Sequence, residues 1–131
     1  MLSPTGKGIR HDKEGNGEYG AKRGKRLHQG TDYICTPNQM IVSPISGTVI
    51  RKARPYANDK YYSGIVIQGK HIRVKMFYLK PLDEIIGKTV KAGDYIGVAQ
   101  DISLRYNSKM IPHIHLRIVS FNPEILIDLT S

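Results

Sequence analysis

Two histidine-bearing clusters carry the chemistry of this sequence. The first is Leu27-His28-Gln29-Gly30-Thr31-Asp32-Tyr33. His28 and Asp32 stand four apart, a helical spacing, but Gly30 followed by Thr31, Tyr33 and Ile34 argues against a helix. In a fully extended strand they would share a face about 13 Å apart, too far to hold one ion. A turn or bulge at Gly30 brings them together, and an imidazole and a carboxylate aimed at one point are suitable zinc ligands. The second cluster is Pro112-His113-Ile114-His115-Leu116-Arg117-Ile118. Strand alternation puts His113 and His115 on one face, Cα atoms ~6.6–7 Å apart, with Ile114 and Leu116 on the other. One imidazole can then hold an ion while its neighbour addresses a water or substrate bound there. Two histidines and a carboxylate leave the fourth tetrahedral position of zinc open, as in catalytic sites, where the bound water has its pKa lowered to about 7. Taken singly, a His-x-His is an ordinary strand feature, and His28 with Asp32 a hydrogen-bonded turn. Both together in one small domain make a metal centre the specific reading.

The elements that must position these groups are strands. The chain has 131 residues, 40% of them hydrophobic, which predicts one domain with its own core. From residue 31 onward, short runs rich in Val, Ile and Tyr alternate with turn formers such as Ser43-Pro44, Gln68-Gly69 and Ala92-Gly93-Asp94. Strands are expected at 33–35, 39–42, 47–51, 64–68, 71–79, 95–99 and 113–119, with a tight hairpin at Gln68-Gly69-Lys70. No window of a dozen residues keeps a helical period. The expected fold is all-β, a compact antiparallel two-sheet sandwich or barrel-like domain at 27–131.

Ahead of it, residues 1–26 read as an irregular, Gly-rich basic arm. With 20 Lys+Arg against 11 Asp+Glu the net charge is +9, which suits polyanionic surroundings. Nucleic acid is the disfavoured version, because Tyr19 is the arm's single aromatic residue for base stacking. No apolar run approaches the roughly 20 residues of a membrane span, and no secretory h-region is seen. Cys35 is the only cysteine, which excludes an internal disulfide and a multi-thiolate zinc site and reads as a buried small hydrophobe.

His-x-Gly-x-Asp in the order His28, Gly30, Asp32, then Ser43-Pro44-Ile45-Ser46-Gly47-Thr48-Val49, Val90-Lys91-Ala92-Gly93-Asp94-Tyr95-Ile96-Gly97 and His113-Ile114-His115 resemble the lysostaphin-type (LytM-like) zinc metallopeptidases. The resemblance spans about residues 22–119. It implies a two-sheet β fold with a groove floored by one zinc ion, and cleavage of peptidoglycan cross-links or stem peptides. It further implies His28, Asp32 and His115 as zinc ligands and His113 as a catalytic histidine.

The chain departs from that pattern at one place. Active members carry a second catalytic histidine in a Tyr-x-His-Leu strand, and Lys75-Met76-Phe77-Tyr78-Leu79 has Tyr78 there. A phenol with a pKa near 10 can donate to an oxyanion but is a poor general base at neutral pH. Val74 to Pro81, with Arg54-Pro55-Tyr56, is most similar to the leukocyte cell-derived chemotaxin branch, secreted zinc-binding proteins with tyrosine at that place. Two functions are therefore expected as alternatives: a peptidoglycan endopeptidase, or a catalytically inactive zinc-binding module that recognises a peptide or other virion proteins. The missing leader and cysteines fit a bacterial or phage protein acting at the cell wall, with a virion supplying export. Tyr56, Tyr61 and Tyr62, in a Pro/Asn/Asp-bearing loop, are candidates to rim the groove.

Overall fold

The computed structural model describes residues 1–9, 11–12, 15–16, 22–23, 26–27 and 30–121. Thirteen strands follow in order: β1 (His11–Asp12), β2 (Gly15–Asn16), β3 (Lys22–Arg23), β4 (Arg26–Leu27), β5 (Thr31–Ile34), β6 (Met40–Val42), β7 (Gly47–Ala53), β8 (Gly64–Gln68), β9 (Ile72–Phe77), β10 (Leu79–Pro81), β11 (Thr89–Val90), β12 (Tyr95–Ala99) and β13 (His113–Phe121). Two short 3-10 turns, Asp83–Ile85 and Ile102–Leu104, are the helical content of the described residues. None of it is long and apolar enough to cross a membrane.

The strands form an antiparallel six-stranded sheet, β11-β7-β8-β9-β13-β5, and a three-stranded sheet, β10-β12-β6. The fold is thus all-β with two antiparallel sheets. Alternation builds it: along β9, Ile72, Val74 and Met76 point inward while Arg73, Lys75 and Phe77 face the other way. Cross-strand pairs such as Ile65 with Met76 and Ile67 with Val74 then meet Ile41, Leu79, Ile96 and Ala99 of the smaller sheet in one core.

Ahead of the sandwich, the region expected as an irregular arm carries local order. β1 pairs with β2 and β3 with β4 as minimal two-residue ladders, local order that the Gly-rich text does not reveal. Residues 1–9 are bonded to the sandwich: Leu2 N–H donates to Pro44 O (3.0 Å), Val42 N–H to Pro4 O (3.0 Å) and Ile34 N–H to Gly8 O (2.8 Å). The segment therefore runs from the edge of β6 to the edge of β5, covering backbone groups that an open sheet edge would leave unpaired. Pro4, within this segment, is fully buried.

The crossover between the sheets lies at Tyr78, whose φ of 76° is left-handed. One expected strand, 71–79, is therefore two. β9 ends at Phe77, the chain turns at Tyr78, and Leu79 begins β10 in the other sheet. Tyr78 is tied on both sides: its N–H donates to Ser63 O (2.8 Å), and its carbonyl accepts from Gln100 N–H (2.9 Å).

Candidate functional site

Register aligns the polar residues on the outer face of the large sheet. Asp32 on β5 lies opposite His115 on β13, His115 opposite Phe77 on β9, and Phe77 opposite Gly64 on β8. This row explains the stacking of Phe77 on the His115 ring, with centroids 5.9 Å apart and planes 13° from parallel. Two residues along β13, His113 points to the same face.

The two imidazoles meet on one carboxylate. Asp32 is 2% exposed; its Oδ1 accepts a hydrogen bond from His115 Nδ1 at 2.8 Å, and its Oδ2 lies 3.6 Å from His113 Nε2. A carboxylate removed from water is costly unless paired, hydrogen-bonded or placed on a metal. His113, 4% exposed, donates from Nδ1 to Ile111 O at 2.8 Å, so a proton is gained or lost at Nε2, the nitrogen facing the carboxylate. Two ligands of one tetrahedral zinc stand roughly 3.3 Å apart, and Asp32 Oδ1 and His115 Nδ1, at 2.8 Å, lie close enough for a small separation to admit the ion. The donor set thus suits zinc. Among the described residues no group of three such side chains holds a metal alone, and His28, the expected further ligand, lies outside the described residues.

Gly30 makes room for this arrangement. A Cβ there would stand 2.6 Å from the Leu116 carbonyl oxygen and 2.6 and 2.7 Å from Cε1 and Nε2 of His115. The backbone oxygen cannot swing away, so any side chain at 30 pushes β13 and its histidine off their places.

A tyrosine wall stands next to His113. The Tyr78 ring meets it edge-on at 5.5 Å, and Tyr56 stacks behind Tyr78 at 6.4 Å. Tyr56 Oη lies 3.4 Å from Tyr78 Oη and 2.6 Å from Tyr106 Oη. Burial, then the hydrogen bonds to Tyr106 and Tyr78, hold the Tyr56 phenol well above its ordinary range. Arg105 lies over the Tyr56 ring at 3.8 Å and pairs with Asp59 at 2.7 Å. Of the tyrosines expected at the groove, Tyr61 is 61% exposed, whereas Tyr62 is buried and donates to Asp101 O at 2.7 Å. Tyr62 meets both Tyr56 and Tyr78 edge-on, at 6.1 and 6.2 Å, and backs the wall instead of facing solvent. Tyr106, Arg105 and Asp59 escaped the sequence reading. They sit 46 to 50 residues from their partners in loops with no periodicity to pair them.

Residues 26–125 match the sequence profile of Peptidase family M23. Leukocyte cell-derived chemotaxin-2 of Bos taurus is 31% identical over 106 residues, covering 80% of this chain and 68% of the relative. Among solved structures, the catalytic domain of lysostaphin from Staphylococcus simulans superposes with a TM-score of 0.56 at 21% identity, covering 89% of this chain and 90% of that one. A zinc-containing peptidase from Vibrio cholerae superposes with a TM-score of 0.57 at 24% identity, over 89% of this chain and only 37% of that protein. At such identities the structural likeness speaks for the fold. The profile match covers most of the sequence and takes in both histidine clusters: the chain belongs to peptidase family M23.

Proposed function

We propose that this chain is a zinc-dependent endopeptidase domain that acts on peptidoglycan peptides at the bacterial cell wall. The observation carrying the reading is the buried Asp32 carboxylate with an imidazole nitrogen at each oxygen. Asp32 and His115, with His28, would hold one zinc ion. When bound, zinc would polarise the scissile carbonyl and lower the pKa of a coordinated water to about 7.

The chain's own residues supply the rest. His113 is fixed by the Ile111 carbonyl, so it takes up a proton at Nε2 and returns it to the leaving amine. Tyr78 is oriented by Tyr56 and donates a hydrogen bond to the developing oxyanion. Tyr61 and Tyr56 flank the groove for the peptide.

A second reading has its own support. With Tyr78 where active relatives keep a histidine, and a chemotaxin 31% identical, the domain would bind zinc and a peptide without cleaving it. Release of new amino termini from purified cell walls separates the two. The enzyme reading expects activity in the zinc-loaded wild type, a fall of at least ~100-fold in His113→Ala, and a gain in Tyr78→His. A zinc-loaded wild type that is inert on walls from diverse bacteria, while Tyr78→His is active, favours the binding module. The setting proposed is a bacterial or phage particle protein; cosedimentation with walls or virions tests it.

A further inference from the structure

A second concavity lies beside the tyrosine wall, and its chemistry differs from that of the histidine cluster. It is a cleft of about 380 Å³ between the end of β7, the segment before β8, and β10. Four cationic side chains from three separate segments line it, Lys52, Arg54, Lys60 and Lys80, and no carboxylate does. Lys52 is paired with Asp83, which lies outside the lining. Arg54, Lys60 and Lys80 have no hydrogen bond or ion pair among the described residues.

The floor of the cleft is polar but already satisfied. Gln100, which is buried, accepts at Oε1 from Ser63 N–H (3.0 Å) and donates from Nε2 to Tyr61 O (2.5 Å). Ser63 Oγ donates to Leu79 O at 2.9 Å. The polar groups left to a ligand are therefore cations, set around a rigid, hydrogen-bonded base. Like charges on exposed lysines ordinarily spread apart into water. Here the backbone converges them on one concave surface, where low-dielectric walls concentrate their field.

We propose that this cleft binds a phosphate-rich ligand carrying about three negative charges. Arg54 and Lys60, with Lys80 that feels the Asp83 carboxylate only at longer range, are cations with no counter-ion in direct contact among the described residues, and they call for that charge. Arginine grips a phosphate by two parallel hydrogen bonds, and lysines hold it as point charges. The volume lies within the range of small-ligand pockets and exceeds what a lone phosphate fills, so the fitting ligand is a short run of linked phosphates. Such a run is either a chain of phosphodiesters or an inorganic polyphosphate. The site shares the 61–63 segment with the tyrosine wall but uses none of Asp32, His113 or His115, so it stands whether or not the domain cleaves peptides.

The test is calorimetric titration of the full chain in 0.15 M NaCl with a glycerol-phosphate trimer, and separately with tripolyphosphate. Saturable binding of either supports the site, and the tighter of the two identifies the source. Arg54→Gln with Lys80→Gln is expected to weaken binding at least tenfold. Lys88→Gln with Lys91→Gln removes equal charge from exposed positions elsewhere and is expected to change it less than twofold, as is Asp32→Ala. Equal losses in both double variants would reduce the effect to net charge, and loss in Asp32→Ala would move the ligand to the histidine cluster. Either result overturns the proposal, as does the absence of saturation at millimolar probe, or equally tight binding of citrate. Unchanged thermal unfolding of the Arg54/Lys80 variant, whose side chains are exposed, shows that the loss is local.

Discussion

Gly30 and Tyr78 set the site at the level of single residues. Gly30 is needed for the space its missing side chain leaves to His115 and the Leu116 carbonyl. Gly30→Ala would overpack this contact at a cost of about 1–3 kcal/mol and displace the His115 ring, one of the proposed zinc ligands. Zinc affinity, measured by competition with a chromophoric chelator, should fall at least ~10-fold, with the unfolding midpoint lowered. Wild-type affinity in Gly30→Ala would show that the close approach is not what fixes His115. Tyr78 occupies a left-handed backbone position, uncommon for a bulky side chain and several-fold more usual for histidine. Tyr78→His, the replacement that probes activity, therefore suits the local backbone. The sequence shows Gly30 and both histidine clusters because chemistry needs those residue types close together. It hides the Tyr56–Tyr106–Arg105 support, because partners 46 to 50 residues apart leave no mark in a linear pattern.

Strand alternation decides what can be read at the level of elements. The hairpin of β8 and β9 is legible because Val74 and Met76 of β9 alternate with Arg73 and Lys75, β8 is a short β-branched run from Ile65 to Ile67, and the turn at Gly69 pairs Gln68 with Arg73. The apolar run Met76-Phe77-Tyr78-Leu79 reads as a continuation of the strand, so it conceals the left-handed turn that sends Leu79 into the second sheet. β11, two residues long, is too short to show a period. At the end of β5, Cys35 is buried as expected, its N–H donating to Pro112 O at 3.0 Å and so tying β5 to the start of β13. Burial pushes its thiol up to about 12 from an ordinary value of 9.0. Because the folded pKa is raised, the unfolded chain loses this proton first, and stability falls as pH rises from about 9 towards 12. Tyr56, also raised, adds to the same fall. Thermal unfolding should show a midpoint that drops across this window, and Cys35→Ala should shallow the drop while lowering the neutral-pH midpoint. Parallel profiles for the two proteins would remove Cys35 from the explanation.

Pairing of β5 with β13 in the large sheet brings together residues 32 and 113–115, far apart in sequence, and the crossover to the second sheet at Tyr78 sets a tyrosine wall beside them. The chain thus carries a candidate metal-binding donor set, an aromatic wall and a basic cleft, in a protein of net charge +9. The Asp32 carboxylate is proposed as the hub of a zinc centre. Zinc content of the dialysed protein by plasma mass spectrometry tests it most directly, with wild type and Asp32→Ala loaded and washed in parallel. About one zinc per wild-type chain is expected, and less than a tenth of that in a folded Asp32→Ala. A wild type that retains no zinc, or an Asp32→Ala that retains as much, would contradict it.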